Sequence, residues 1–172
     1  PNSVTTIGMY AFNGCSSLTS VTIGDSVTTI GNYAFESCSS LTSVTIGDSV
    51  TAIGDNAFRN CSSLTTITIP DSVTEIGIET FYGCSSLTTA VIGSGVKSIG
   101  SSAFENCYFL NEIICKPTTP PAATLSYGVW NAFKAIGTSP KIYVPMESVD
   151  AYKTAAGWKD YADIIVGYDF NE

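Results

Sequence analysis

Residues 1–115 of this chain repeat with a period of 23. Isoleucine recurs at Ile7, Ile30, Ile53, Ile76 and Ile99, each followed by glycine at Gly8, Gly31, Gly54, Gly77 and Gly100. Phe12, Phe35, Phe58, Phe81 and Phe104 keep the same spacing. So do Cys15, Cys38, Cys61, Cys84 and Cys107, and Leu18, Leu41, Leu64, Leu87 and Leu110. A fixed period of this size marks one small unit stacked on copies of itself, because a single unit cannot bury its own apolar side. Stacking sets each Phe on the next Phe and each Cys on the next Cys, so the core is predicted to be a set of ladders. If one side of each unit is a strand, copies sit about 4.8 Å apart and five of them span roughly 24 Å.

Within a unit, Val21 and Ile23 alternate with Ser20 and Thr22, the pattern of a half-buried strand. Gly24-Asp25-Ser26 is turn chemistry. Val27 to Ile30 reads as a second short extended piece, and Tyr33-Ala34-Phe35-Glu36 as about one helical turn. Leu-x-x-Val-x-Ile, Val-x-x-Ile-Gly, Ala-Phe and Cys-Ser-Ser-Leu together resemble the BspA-like class of leucine-rich repeat throughout residues 1–115. Ser26, Ser49 and Ser72 stand where leucine-rich repeats commonly carry an asparagine. The resemblance implies an α/β repeat solenoid, a right-handed leucine-rich-repeat β-solenoid, with five repeats in 1–115 and a C-terminal α/β capping segment in 116–172.

The opening Pro1-Asn2-Ser3-Val4 aligns with Pro70-Asp71-Ser72-Val73, so the chain is expected to start mid-repeat, as a piece of a longer protein. Toward the other end the repeat decays. Ala90 replaces a Val or Ile, Tyr108-Phe109 replaces Ser-Ser, and Cys115 takes the place of Ile23. The prolines of 116–123 are expected to interrupt regular stacking, since proline gives no N–H to a central strand. Trp130-Asn131-Ala132-Phe133 echoes the Ala-Phe element. Lys141 to Pro145 reads as a last strand and Glu147 to Ala156 as a helix stopped by Gly157. Ile164-Ile165-Val166 is a final apolar run. This segment is predicted to cover the apolar end of the stack.

Charge narrows the partners. The net charge is −8 and only 13% of residues are charged. Nucleic acid is a poor partner for such a surface, because phosphate contacts need Lys and Arg. No apolar run approaches the ~18 residues of a membrane span. With no histidine in the chain, Ser-His and Cys-His catalysis and most zinc arrangements are excluded. No close carboxylate pair or phosphate-cradling glycine loop is present, so neither an enzyme nor a cofactor is expected.

Three columns invite a functional reading. The cysteines lie 23 apart rather than in metal-binding pairs, and they read as buried free thiols. Asp25, Asp48 and Asp71 recur at one turn; oxygen ligation of a cation competes there with simple turn chemistry. The outward strand positions, Ser20, Ser43 and Thr66 beside Thr22, Thr45 and Thr68, form the candidate ligand-binding face, since solenoids present such columns as extended surfaces. The family resemblance implies a secreted or cell-surface bacterial module that binds a host or cell-surface protein or a glycan. The alternative is a structural spacer, or a scaffold that self-associates through its open N-terminal edge.

Overall fold

In a computed structural model describing residues 3–123 and 132–170, the chain winds into a parallel β-solenoid. Each turn has three sides. On one side, β1 (Thr6–Ile7), β3 (Thr29–Ile30), β5 (Ala52–Ile53), β7 (Glu75–Ile76), β9 (Ser98–Ile99) and β11 (Ala122–Ala123) form a six-stranded sheet in that order. On another side run longer strands. β2 (Ser20–Ile23) pairs with β4 (Ser43–Ile46), and β6 (Thr66–Ile69), β8 (Thr89–Ile92), β10 (Glu112–Cys115), β12 (Lys141–Pro145) and β13 (Ile165–Tyr168) form a five-stranded sheet beside them. Pairing sets each residue opposite its equivalent one repeat on, as Val21 opposite Val44 and Ile92 opposite Cys115. Branched residues at alternate positions turn inward and Ser or Thr outward, which suits a pleated, half-buried surface.

The third side departs from the expected helical turn. Tyr33 and Ser37 take left-handed backbone angles, φ 58° and 59°, and the same two positions do so in every described repeat, as Asn56 and Asn60 or Glu79 and Gly83. A helical turn would spend its N–H groups within the turn. Here alternate N–H groups instead reach the next repeat: Tyr33 to the Asp55 carbonyl at 2.9 Å, Phe35 to Ala57 at 2.7 Å and Ser37 to Arg59 at 2.7 Å. Among the described residues every inter-repeat backbone bond on this side runs the same way, from the earlier N–H to the later carbonyl. A left-handed residue costs about 1 kcal/mol or more, and the bonds along the stack offset it.

The core is the ladder set. Phe12, Phe35, Phe58, Phe81, Phe104 and Phe133 stack nearly parallel, with ring centroids 5.1 to 5.5 Å apart. Phe35, Phe58, Phe81 and Phe104 are fully buried, together with the Leu, Ile and Cys of the same repeats. Phe12 and Cys15 belong to the first turn and are exposed. Their side opens as a cavity of about 570 Å³ lined by Ile7, Phe12, Val21, Ile23 and Val27. Of the residues read from the sequence, Pro1, Asn2, Trp130 and Asn131 lie outside the described residues.

The stack also runs on past residue 115. Phe133 extends the Phe ladder, β12 and β13 extend the long-stranded sheet, and β13 rather than β12 is its last strand. The prolines do not end the pairing, because β11 still pairs with β9 after them. Carbonyls of this proline-rich stretch anchor the closing segment instead. Tyr152 donates its hydroxyl to the Pro117 carbonyl at 2.8 Å, Ser148 to Thr118 at 2.8 Å, and the Trp158 indole to Pro121 at 2.9 Å. Tyr152 sits on α1 (Val149–Thr154), which is shorter than the sequence suggests because a 3₁₀ turn, Met146–Ser148, precedes it and Ala155 turns extended. Trp158 packs on both Phe133 and Tyr152, covering the last ring of the ladder.

Candidate functional site

The long-stranded sheet has its alternate residues in the core and its other face open to solvent. Ser20, Ser43 and Thr66 form one exposed column, and Thr22, Thr45 and Thr68 the neighbouring one. Among the described residues their hydroxyls make no hydrogen bond.

Other threonines, which the sequence reading passed over, are committed to the fold. Thr28, Thr51 and Thr74 each donate a hydroxyl to the carbonyl of the equivalent threonine one turn earlier, at 3.2 Å. Thr42, Thr65 and Thr88 form a second such column, at 2.9 to 3.4 Å. Both columns sit at the corners of the turn rather than on a sheet face. The signal was Thr in a polar pair, which period-2 alternation does not resolve. Two substitutions separate the classes. Thr45→Ala is expected to change stability by less than about 0.5 kcal/mol, whereas Thr51→Ala is expected to cost about 1 kcal/mol for its lost hydrogen bond. Urea unfolding of both variants checks this, and equal losses would show that the two columns do not differ in role.

The exposed face is not uniform along its length. Thr68 is followed in register by Val91, Ile114, Tyr143 and Val166. In the neighbouring column Thr66 is followed by Thr89, Glu112 and Lys141. The Tyr143 ring meets Tyr168 edge-on at 5.9 Å, and Tyr168 meets Phe170 at 5.1 Å. Val91, Glu112, Ile114, Lys116, Tyr143, Tyr168 and Phe170 line a groove of about 430 Å³. Sequence reasoning did not pick out this groove. Its signal was present as Val91 and Ile114 at places that carry Thr22, Thr45 and Thr68 in the earlier repeats.

The remaining columns are structural. Asp25 Oδ1 accepts from the Asp48 N–H at 3.3 Å, and Asp71 Oδ1 from the Ser94 N–H at 2.7 Å. Asn32 and Asp55 make equivalent links to Asp55 and Ile78. These side chains tie one turn to the next. Among the described residues no group of three or more His, Cys, Asp or Glu is placed to hold a metal.

All six cysteines are free thiols. Cys38, Cys61, Cys84 and Cys107 each donate to the carbonyl of the preceding repeat's phenylalanine, at 3.2 to 3.3 Å. Burial pushes the Cys61, Cys107 and Cys115 thiols up to about 12 and raises Cys38 and Cys84 as well. The thiolate is the reactive form, so these groups are inert by both access and charge. At about pH 8 a thiol-specific reagent is expected to label the exposed Cys15 and spare the rest of the folded chain. Full labelling without denaturant would contradict the buried ladder.

Comparison with known proteins gives the fold a context. Residues 1–117 match the BspA type leucine rich repeat region in six copies. A leucine rich repeat protein of T. pallidum aligns with 93% of this chain and 76% of its own, at 27% identity and TM-score 0.67. A leucine rich cell surface protein of Faecalibacterium prausnitzii aligns with 78% of this chain at 36% identity and TM-score 0.64, and the match spans 34% of that protein. The pneumococcal vaccine antigen PcpA shares the fold, with TM-score 0.68 at 22% identity over 84% of this chain. No curated protein matches the chain.

Proposed function

The chain belongs to the BspA-type leucine-rich repeat family, and from that premise we propose that it is the binding module of a bacterial surface or secreted protein. Its ligand is a host matrix protein, another cell's surface protein or a glycan, held on the open face of the long-stranded sheet. Residues 1–115 supply the repeats, and 116–172 add β12 and β13 to the same face and close the stack. A neighbour described as a leucine rich cell surface protein, at 36% identity, supports the location.

The observation that carries this reading is the face itself. Its hydroxyl columns, Ser20, Ser43, Thr66 and Thr22, Thr45, Thr68, make no hydrogen bond among the described residues, while Thr28, Thr51 and Thr74 and Thr42, Thr65 and Thr88 at the corners are engaged. Solenoids present such faces as extended binding surfaces. No helix of the described residues is long and apolar enough to cross a membrane.

The test is binding of the purified chain to immobilised fibronectin, fibrinogen, collagens and intact epithelial cells. A Thr22→Asp, Thr45→Asp, Thr68→Asp variant is run beside it. Saturable binding that this variant or a groove variant loses supports the proposal. Absence of binding to every surface, by a chain shown to be folded, overturns it.

A further inference from the structure

The first three strands of the exposed face are near copies, and nothing in the core asks the outward residues of later strands to differ. They differ nonetheless, and in one place. Val91, Ile114, Tyr143 and Tyr168 turn a hydroxyl-rich surface into a groove walled by apolar groups and rings. We infer that this groove binds a neutral saccharide, which names the ligand class on the face read above as the binding surface and rests on that reading.

Three observations converge on this ligand. The first is the rings. Tyr168 is 50% exposed, and it meets Tyr143 at 77° and Phe170 at 47°, so these rings are not consumed in a flat stack of their own. A tyrosine gives a large, rigid, amphipathic contact at low entropic cost. The ring face is electron-rich, and so attracts the polarised C–H groups on the apolar side of a pyranose.

The second is the polar pair. Glu112 and Lys116 line the same groove and form no ion pair with each other. An ionised carboxylate only accepts hydrogen bonds and an ammonium only donates them. A hydroxyl does both, so separate hydroxyls along one oligosaccharide can meet Glu112 and Lys116, which stand four residues apart on an extended strand, roughly 13 Å at Cα. The opposite charges leave the groove's lining balanced, which favours neither a phosphate or sulfate nor a strongly basic peptide. The third is the backbone. Over β10 and β12 the groove lies on the sheet's face, where strand N–H and carbonyl groups are spent on neighbouring strands. A peptide adding as a strand finds no partners there; only the outer edge of β13 is open to one, beside the groove, and recognition over its floor falls to side chains. The volume, about 430 Å³, falls within the ~300–1,000 Å³ of small-ligand sites.

The experiment measures the purified chain, by calorimetry and on an immobilised array, against lactose, N-acetyllactosamine, maltotriose, cellotriose and mannotriose. A proline-rich peptide is included as a competitor class. At least one saccharide is expected to bind saturably. Tyr143→Ala and Tyr168→Ala should each weaken it by at least about tenfold. Glu112→Ala and Lys116→Ala, at positions with no core role, should weaken it too while circular dichroism stays unchanged. Glu75→Ala, at an exposed position of the short-stranded sheet, should bind the sugar as the parent does.

No saccharide binding by the folded chain overturns the inference. So does binding that survives all four groove substitutions, or binding of the peptide alone in the groove. Capture of a matrix protein through the threonine columns with no sugar bound would sink the saccharide site and leave the broader function standing. Silence towards every surface and every sugar would end both.

Discussion

Phe58→Ala is expected to lower the free energy of unfolding by about 3–5 kcal/mol. Phe58 is fully buried, with Phe35 stacked 5.1 Å from it on one side and Phe81 5.5 Å on the other. Removing the ring opens a void that two repeats share. The turns on either side are tied to each other by backbone bonds on all three sides, so the space does not collapse cheaply. In a stack each repeat gains most of its stability from its two neighbours, and a weak central interface also threatens cooperativity. Urea unfolding should show a lower midpoint, and a shallower slope if the halves begin to separate. Phe12→Ala is the control. Phe12 is 41% exposed and stacks on Phe35 alone, so its loss should be distinctly smaller. A Phe58→Ala midpoint equal to that of the parent would rule out the buried ladder.

Gly77→Ala is expected to cost about 3 kcal/mol, for a different reason. Its φ is not in the left-handed region, so the backbone would accept alanine readily. The obstacle is the adjacent turn. A Cβ at Gly77 would stand 2.6 Å from the Asp55 nitrogen and 2.6 Å from the Gly54 carbonyl carbon. Those are backbone atoms within the stack and cannot swing aside as a side chain can. Gly31, Gly54 and Gly100 meet the preceding turn in the same way. Gly8 has nothing within 4 Å, so Gly8→Ala should leave stability almost unchanged. Alanine tolerated equally at Gly8 and Gly77 would mean that the turns do not approach as closely as described.

Much of the fold was legible because identical residues at one spacing admit few arrangements. The Phe and Leu ladders, the strand at Ser20–Ile23 and the inward turn of Val21 and Ile23 follow from repetition and alternation. The glycine after each isoleucine was plain in the repeat, but its use as a spacer between turns needed the distance to the neighbour. The segment around Tyr33 read as helix because Ala-Phe-Glu suits a helix locally. The competing use of its N–H groups lies 22 residues away, in Asp55 and Ala57, where no local pattern reports it. For the binding face, the repeats drew attention to what recurs. The groove at Val91, Ile114 and Tyr143 is written in what does not.

The stacked segment on the third side carries a directional property. Peptide groups 32–33, 34–35 and 36–37 all point their carbonyls toward the preceding turn and their N–H groups toward the following one, and the later repeats continue this. Strand dipoles in an ordinary sheet largely cancel; these columns add, as they do in a helix. One rim of the solenoid is therefore electronegative and the other electropositive. Two copies meeting by like rims would oppose carbonyl to carbonyl. Any lengthening of the rod, by gene duplication or by design, must keep one sense throughout, and a mirror-related junction between two such modules is electrostatically barred.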